Sequence, residues 1–370
     1  MSQQKEATVI HRKRYLPDQD SLPDVRAHGW AMSSLLKAKG FTPTTDKQGT
    51  IIDIAWPEER FDFALLDGVA GMIWAANNQT DEEYRESTLQ EIEVYINANA
   101  QLRLVKDIKS IFIKLDDPTI PVSKAHSRTP MRHTLDVAHG IDTSVFRNQL
   151  TQTEALADWQ NDAIFAARFQ AFVHDWGKLF IADGDIYQYH AELSYLLFKK
   201  YVDSRVKRGL IHPNQADSLL QPIRYHHIFE LVSKGVFDLE EVLELLVTDE
   251  NAYILLGVLA AADAGSVEGY GHFALENVTT FFQGLERELA EVLARLPNFA
   301  HSLLRWFDGL LGSIEAYLGT NPGDKKMAQV NRVTEAEIDK LRTNAAFRVL
   351  VQNADITNMP HLSAKLGLAA

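Results

Sequence analysis

One segment restricts the fold more than any other. In AYILLGVLAAADAG, residues Ala252, Leu255, Leu256, Leu259 and Ala260 recur at helical spacing, and Asp263 continues their stripe. A helix buried along that stripe carries a carboxylate into the interior with it. Desolvating an unpaired charge costs several kcal/mol or more, so Asp263 has to be paired, neutralised or metal-bound. An arginine or a helix N-terminus would serve as well as a metal ion, and the rest of the sequence has to say which.

The sequence around Asp263 is patterned for helices. From Met131 to about Gly269 one helix-period segment follows another, entered through punctuation at Asp116, Asp117, Pro118, Pro121 and Pro130. This divides the 370 residues into an accessory region (1–118), a central unit (119–270) and a helical region (271–370). The first region is mixed. Val25 to Lys39 is amphipathic, the β-branched run Thr50, Ile51, Ile52 and Ile54 reads as a strand within Thr50 to Trp56, and a long helix spans Asp81 to Leu115, opened by Thr80 with Glu83 three residues on. The last region predicts helices over Asn277 to Leu296 and Ala300 to Leu318, split by Pro297, and a break at Asn321, Pro322 and Gly323. A capping-box match at Thr334 to Glu337 then opens a final helix to about Gln352. Trp306, Phe307, Leu310 and Leu311 read as core or as a homodimer contact. The expected class is mainly α.

Composition narrows the chemistry. Apolar residues at 46% and charged residues at 24% describe a folded globular chain and exclude global disorder. No cysteine is present, which removes disulfides, thiolate nucleophiles and Cys-based zinc sites, so any metal must be held by imidazole and carboxylate. A formal charge of -13 argues against a passive basic coat on nucleic acid, but not against a nuclease whose bound cations reverse the local sign. The longest apolar run, Ile254 to Ala262, falls short of the eighteen or so residues of a membrane span, and the N-terminus has no apolar signal-peptide centre. The expectation is a cytoplasmic chain with no membrane association.

Eight of the 13 histidines lie between His126 and His227. Along AIFAARFQAFVHDWGK, residues Ala167, Gln170, Ala171 and His174 share one helical face. Small residues there let another helix approach while His174 and Asp175 project from the last turn, and Gly177 stops the helix. An adjacent imidazole and carboxylate suit borderline or hard divalent cations. In RHTLDVAHGID, His133 shares a face with Val137 and Ile141, whereas His139, six positions on, is rotated by about 120° and reads as surface or supporting. His190 begins the helix HAELSYLLF, and IRYHH sets His226 and His227 near the end of a segment disturbed by Pro222. Each of these alone could equally be a hydrogen-bonded histidine at a helix end.

Taken in order, His, then His-Asp, then His, then His-His, then Asp resembles the HD superfamily of metal-dependent phosphohydrolases. The variant is the one with extra histidines seen in HD-GYP phosphodiesterases and in HD nuclease domains of CRISPR-associated proteins. The resemblance covers roughly Ser127 to Ser266: RHTLDVA looks like the first-ligand helix, FVHDWGK like the HD-x-GK signature, HAELSYLLF like the third element and AADAGS like the last. It implies an HD-domain helical bundle with a mixed N-terminal accessory segment and a C-terminal helical extension. It implies that His133, His174, Asp175 and Asp263 hold one divalent metal, and that Asp175 bridges to a second held by His190, His226 and His227. The ion could be Mn, Fe, Mg, Ni or Zn. Lys178 matches the family lysine that approaches a substrate phosphate, with Arg128 and Arg132 as helpers or plain surface residues. Asp175 and Lys178 would be the catalytic pair, and the substrate a phosphoester of a nucleotide, cyclic nucleotide or nucleic acid.

The sequence departs from the family pattern in two places. Trp176 replaces a small aliphatic residue, and the GYP triplet is missing; no helicase P-loop occurs either. HSRTPMRHTLDVA carries a fainter likeness to HD relaxases of mobile elements, with the upstream histidine cluster reduced to His126. A DNA-processing nuclease or relaxase and a non-catalytic HD regulatory protein are therefore the competing readings.

Overall fold

Helix dominates, as the spacing of apolar residues demands. The computed structural model describes residues 33–34, 37, 42–47, 51–55, 64–99, 130–149, 157–175, 177, 190–233, 250–267, 270–320 and 327–368, and over these the fold is mainly α. Strands β1 (Thr42–Thr45) and β2 (Ile51–Ala55) form an antiparallel hairpin, with Thr42 opposite Ala55 and a bulge at Thr44/Thr45. β2 falls on the β-branched run, with Ile51 and Ile54 buried. Helix α1 (Ala64–Ala75) follows. α2 then starts at Asp81–Glu83, passes through a π-helical turn at Tyr84–Thr88 and continues as Leu89–Asn99. The capping box expected at its start is formed: Glu83 N–H donates to Thr80 Oγ1 at 3.2 Å, and Thr80 N–H to Glu83 Oε2 at 2.8 Å. The expected continuation to Leu115 and most of Val25 to Lys39 lie outside the described residues.

The central unit comprises α3 (Pro130–Gly140), α4 (Ser144–Gln149), α5 (Ala157–Val173), α6 (His190–Lys207), α7 (Pro213–Tyr225), α8 (Ile228–Ser233) and α9 (Glu250–Gly265). Then come α10 (Tyr270–Gly284), α11 (Arg287–Ala294), α12 (Pro297–Thr320), α13 (Met327–Thr343), α14 (Ala345–Asn353) and α15 (Pro360–Leu366).

Two expectations for this last region change. The segment Asn277 to Leu296 is two helices broken at Leu285 and Glu286, and Pro297 opens α12 rather than separating helices. A first-turn residue has no intrahelical use for its N–H, so proline fits there. Thr334 is no cap: it is buried within α13, its hydroxyl donating to the Val330 carbonyl at 2.8 Å. The cap that does form is Asn344, whose Oδ1 accepts from Phe347 N–H at 2.8 Å to start α14. The break at Asn321, Pro322 and Gly323 lies outside the described residues.

α9 is the axis of the fold because it is apolar on every side. Leu255, Val258, Leu259 and Ala262 belong to one core cluster with the hairpin and α1 through α7; Tyr253, Leu256, Ala260 and Ala264 belong to a second with α8 and the C-terminal helices. Each cluster thus spans a boundary between the three segments named above. Trp306, Phe307, Leu310 and Leu311 are all buried in the second, the core alternative of the two.

α12 meets α9 backbone to backbone. A Cβ added at Gly309 would sit 2.3 Å from the Ala261 carbonyl oxygen, so only glycine allows this approach. That contact fixes the backbone two residues before Asp263. On the opposite side Arg168 of α5, fully buried, donates to the Ala76 and Gln79 carbonyls at 2.8 and 3.0 Å and to Asp81 Oδ1 at 3.0 Å. Its guanidinium lies 4.1 Å from the centre of the Tyr84 ring. Asp81 also accepts the Thr143 hydroxyl and N–H at 2.6 and 2.7 Å, tying the N-terminal helices to the central unit.

Candidate metal centre

The last turn of α5 sets the geometry. His174 N–H still bonds the Gln170 carbonyl at 3.0 Å, so the helical path carries His174 and Asp175 just past Val173. The chain then folds against the start of α6. A Cβ on Gly177 would fall 2.0 Å from the His190 carbonyl oxygen, and Gly177 N–H donates to Ser194 Oγ at 2.7 Å, while that hydroxyl donates to the same carbonyl at 2.8 Å. His190 is thereby locked beside the His-Asp pair.

Pro222, inside α7, positions the next two imidazoles. Lacking an N–H, it leaves the Ser218 carbonyl without its helical donor. Gln170 of α5 supplies the replacement, its amide donating to the Ser218 and Leu219 carbonyls at 3.3 and 2.9 Å. The helix therefore runs through the proline to Tyr225, and His226 and His227 emerge facing α5. His133 from α3 and Asp263 from α9 complete the cluster, and Ala262 lies against Gly140 of α3.

The seven side chains converge. His133 Nε2 lies 3.0 Å from Asp175 Oδ2 and 3.0 Å from Asp263 Oδ1, and His174 Nε2 lies 3.4 and 3.8 Å from the same two oxygens. On the other side His190 Nε2 is 3.2 Å and His226 Nε2 3.7 Å from Asp175 Oδ1, and His227 Nε2 is 3.8 Å from Asp263 Oδ2. Asp175 thus turns one oxygen to each set of imidazoles. Two groups result, His133, His174 and Asp263, and Asp175, His190, His226 and His227, with the ligand atoms of each group within 4.8 Å of one another. These buried groups could hold a metal ion.

The hydrogen bonds around the rings decide which nitrogen faces inward. His174 Nδ1–H donates to the Ala171 carbonyl at 2.9 Å, His226 Nδ1–H to Ile223 at 2.8 Å and His227 Nδ1–H to Glu230 Oε2 at 3.0 Å. His133 Nδ1–H donates to Ser266 Oγ at 3.0 Å, because that hydroxyl gives its own proton to the Asp263 carbonyl at 2.7 Å. With the proton on Nδ1, each Nε2 presents a lone pair to the centre, the tautomer and outer support that metal-bound histidines use. His174 Nε2 and His227 Nε2 are buried yet make no hydrogen bond of normal geometry among the described residues, despite the nearby carboxylates. Lone pairs facing carboxylate oxygens repel unless a cation or a proton lies between them.

Burial and charge act in opposite senses on the two kinds of ligand. Burial, aided by His227, pushes the His226 imidazole down to about 4 against the pull of Asp175, so it is neutral at pH 7. Burial alone would raise the Asp263 carboxyl, but the closeness of His133 and His174 outweighs it and holds Asp263 well below the usual carboxylate range. Only the His227 side chain, 21% exposed, reaches solvent among the five imidazoles.

Of the three phosphate-directed residues only Arg132 is among those described, and it does not join the cluster. Arg132 is 54% exposed and pairs with Asp136 at 3.2 Å, one turn along α3. Lys178, Arg128, Trp176 and His126 lie outside the described residues. His139 is exposed, as its angular offset from His133 predicts. Four supporting residues were given no role from the sequence: Gln170, Ser194, Glu230 and Ser266. No protein-family model, curated protein or solved structure matches the chain, and among the described residues no helix is long and apolar enough to cross a membrane.

Proposed function

We propose that this chain is an HD-type metal-dependent phosphohydrolase with a dinuclear centre, acting on a phosphoester of a nucleotide or nucleic acid. Asp175 carries the reading. It is a buried carboxylate with one oxygen toward His133 and His174 and the other toward His190 and His226. His133, His174, Asp175 and Asp263 would hold one ion, and His190, His226 and His227 with Asp175 the other. Five imidazole nitrogens and two carboxylates suit Mn, Fe, Ni or Zn, and the carboxylates alone suit Mg. Divalent ions held there supply Lewis acidity toward phosphate oxygens and a bound water that ionises near neutral pH.

The chain's own residues prepare the rest. Ser266, Ala171, Ile223 and Glu230 hold four of the rings with Nε2 inward. Of the seven cluster side chains His227 is the most exposed, at 21%, and a phosphoester would enter on its side. Lys178, three positions after Asp175 in the sequence, would meet the phosphate with positive charge, as the family resemblance implies.

The test is elemental analysis of the purified chain beside hydrolysis of bis(p-nitrophenyl) phosphate and p-nitrophenyl phosphate in added Mn²⁺, with Asp175→Ala in parallel. Wild type is expected to bind metal and turn over at least one substrate, and the variant to lose both. Tight metal with no hydrolysis of diesters, monoesters or cyclic nucleotides would overturn the enzyme reading in favour of a regulatory HD core.

A further inference from the structure

The helices that present the metal-centre residues build a second concavity toward their other ends. Ala166 and Phe169 of α5, Tyr201 of α6, Leu219 of α7 and Leu255 of α9 line it, and Trp74 of α1 stands over it. Its volume is about 1170 Å³, above the roughly 300–1,000 Å³ common for small-molecule sites. Its α5 wall runs from Asp162 to Phe169, which at about 1.5 Å per residue lies roughly 8 to 18 Å along the helix from His174. The metal centre and this cavity are therefore separate sites on shared helices.

The wall is aromatic, its outer rings backed by buried ones. Trp74 meets Phe165 edge-on with centroids 5.6 Å apart, Phe165 stacks on Phe169 at 5.4 Å, and Phe169 lies 5.8 Å from Tyr201. Large apolar side chains remain in water at the mouth, Trp74 at 54% and Leu210 at 63% exposure. A tryptophan beside an aromatic-lined cavity has contact area to give to a ligand.

Polar groups on the wall are mostly engaged with one another. Arg205 donates from Nε to Asp67 Oδ1 at 2.6 Å and from Nη2 to Asp67 Oδ2, and the Tyr201 hydroxyl also bonds Asp67; the Gln215 amide donates to Asp162. Arg208, which also lines the cavity, is exposed and forms no ion pair among the described residues.

We infer that this cavity is a binding site for a small, flat aromatic molecule carrying one anionic group, its ring against Trp74 and Phe165 and its anion on Arg208. The inference is independent of the phosphohydrolase reading, and its test needs neither metal nor turnover. Gly71 makes the test clean. It lines the cavity within α1, and an added Cβ would meet nothing within 4 Å, so Gly71→Trp brings a bulky ring to the cavity wall from a position with room for its first carbon, and it raises helix propensity.

Naphthalene-2-sulfonate and uncharged 2-naphthol are titrated calorimetrically into the full chain and into Gly71→Trp and Arg208→Ala, with circular dichroism confirming that each variant is folded. The sulfonate is expected to bind at one site per chain and to lose affinity roughly tenfold in Arg208→Ala, the scale of one charge-assisted hydrogen bond. The naphthol should be indifferent to that change, and Gly71→Trp should abolish both. Absence of saturable binding, binding that survives Gly71→Trp, or equal affinity for the two probes would overturn the proposal.

Discussion

Replacing Asp175 with asparagine separates a metal centre from a buried network of His–Asp ion pairs, because the two respond with different dependence on metal. The side chain keeps its shape and loses its charge. In an ion-pair network, Asp175 neutralises imidazolium rings that approach it at 3.0 and 3.2 Å, and leaving such a charge uncompensated costs about 3–5 kcal/mol with or without metal. In a metal centre held free of ions by EDTA, the rings are neutral, as burial of His226 favours. The asparagine amide can then donate to Nε2 on one side, so the cost is about 1 kcal/mol. Saturating metal at ~1,000 times its dissociation constant stabilises wild type by about 4 kcal/mol. For 370 residues unfolding together, at ~2.1 cal/mol/K per residue, that raises Tm by about 5 °C. Calorimetric scans of both proteins in EDTA and in MnCl₂ should show the 5 °C rise in wild type alone, with nearly equal Tm values in EDTA. A drop of about 4 °C or more for the variant in EDTA, or an undiminished Mn²⁺ shift in it, would refute the metal assignment.

Four further outcomes are expected. Ser266→Ala removes the acceptor for His133 Nδ1–H and should lower metal affinity about 10–100-fold while circular dichroism stays unchanged, as read by competition with a metallochromic chelator. Gly309→Ala places a methyl against the Ala261 carbonyl; overpacking of about 3 kcal/mol less about 1 kcal/mol of gained helix propensity leaves a loss of about 2 kcal/mol in urea unfolding. Asp81→Ala strands the buried Arg168 charge and the Thr143 N–H, and should cost about 3 kcal/mol in the same assay. Burial, with help from Arg305, pushes His301 down from 6.5 to about 4. The unfolded chain therefore binds the extra proton first, and this contribution, full above pH 6.5, is lost as pH falls toward 4, by about 3 kcal/mol; urea midpoints at pH 7 and 4.5 should fall further apart for wild type than for His301→Gln.

The helices could be read from the sequence wherever one signal was sufficient. Thr80 and Glu83 close a capping box because a non-helical turn precedes them, and Ile51, Ile52 and Ile54 make a strand because branched side chains suit a half-buried pleat. Thr334 and Glu337 have the same spacing as Thr80 and Glu83 but stand inside a helix, where the hydroxyl turns back to the Val330 carbonyl. Spacing does not encode the backbone angle a cap requires. Asn344, which does cap, has Phe347 rather than an acid three residues on and gives no box to find. Equally, nothing local shows that α9 is shared between two cores, since an all-round apolar helix names no neighbours.

The candidate site divides along the same line. His133, His174, Asp175, His190, His226, His227 and Asp263 could be picked out because imidazoles and carboxylates recur at helix ends in a definite order. Ser266, one turn beyond Asp263, and Glu230, one turn beyond His227, follow the same local logic and could have been found by asking which residue holds each ring's second nitrogen. Gln170 and Pro222 are harder, since neither makes sense alone: a proline inside a helix orphans a carbonyl, and a glutamine on a buried face needs acceptors. Across 48 residues of sequence Gln170 donates to the Ser218 carbonyl that Pro222 leaves without a helical donor, and the helix runs on through the proline to Tyr225, just before His226 and His227. Buried polar atoms have to be accounted for in pairs, so a sequence that shows one unmet donor and one unmet acceptor already contains a contact that periodicity cannot reveal.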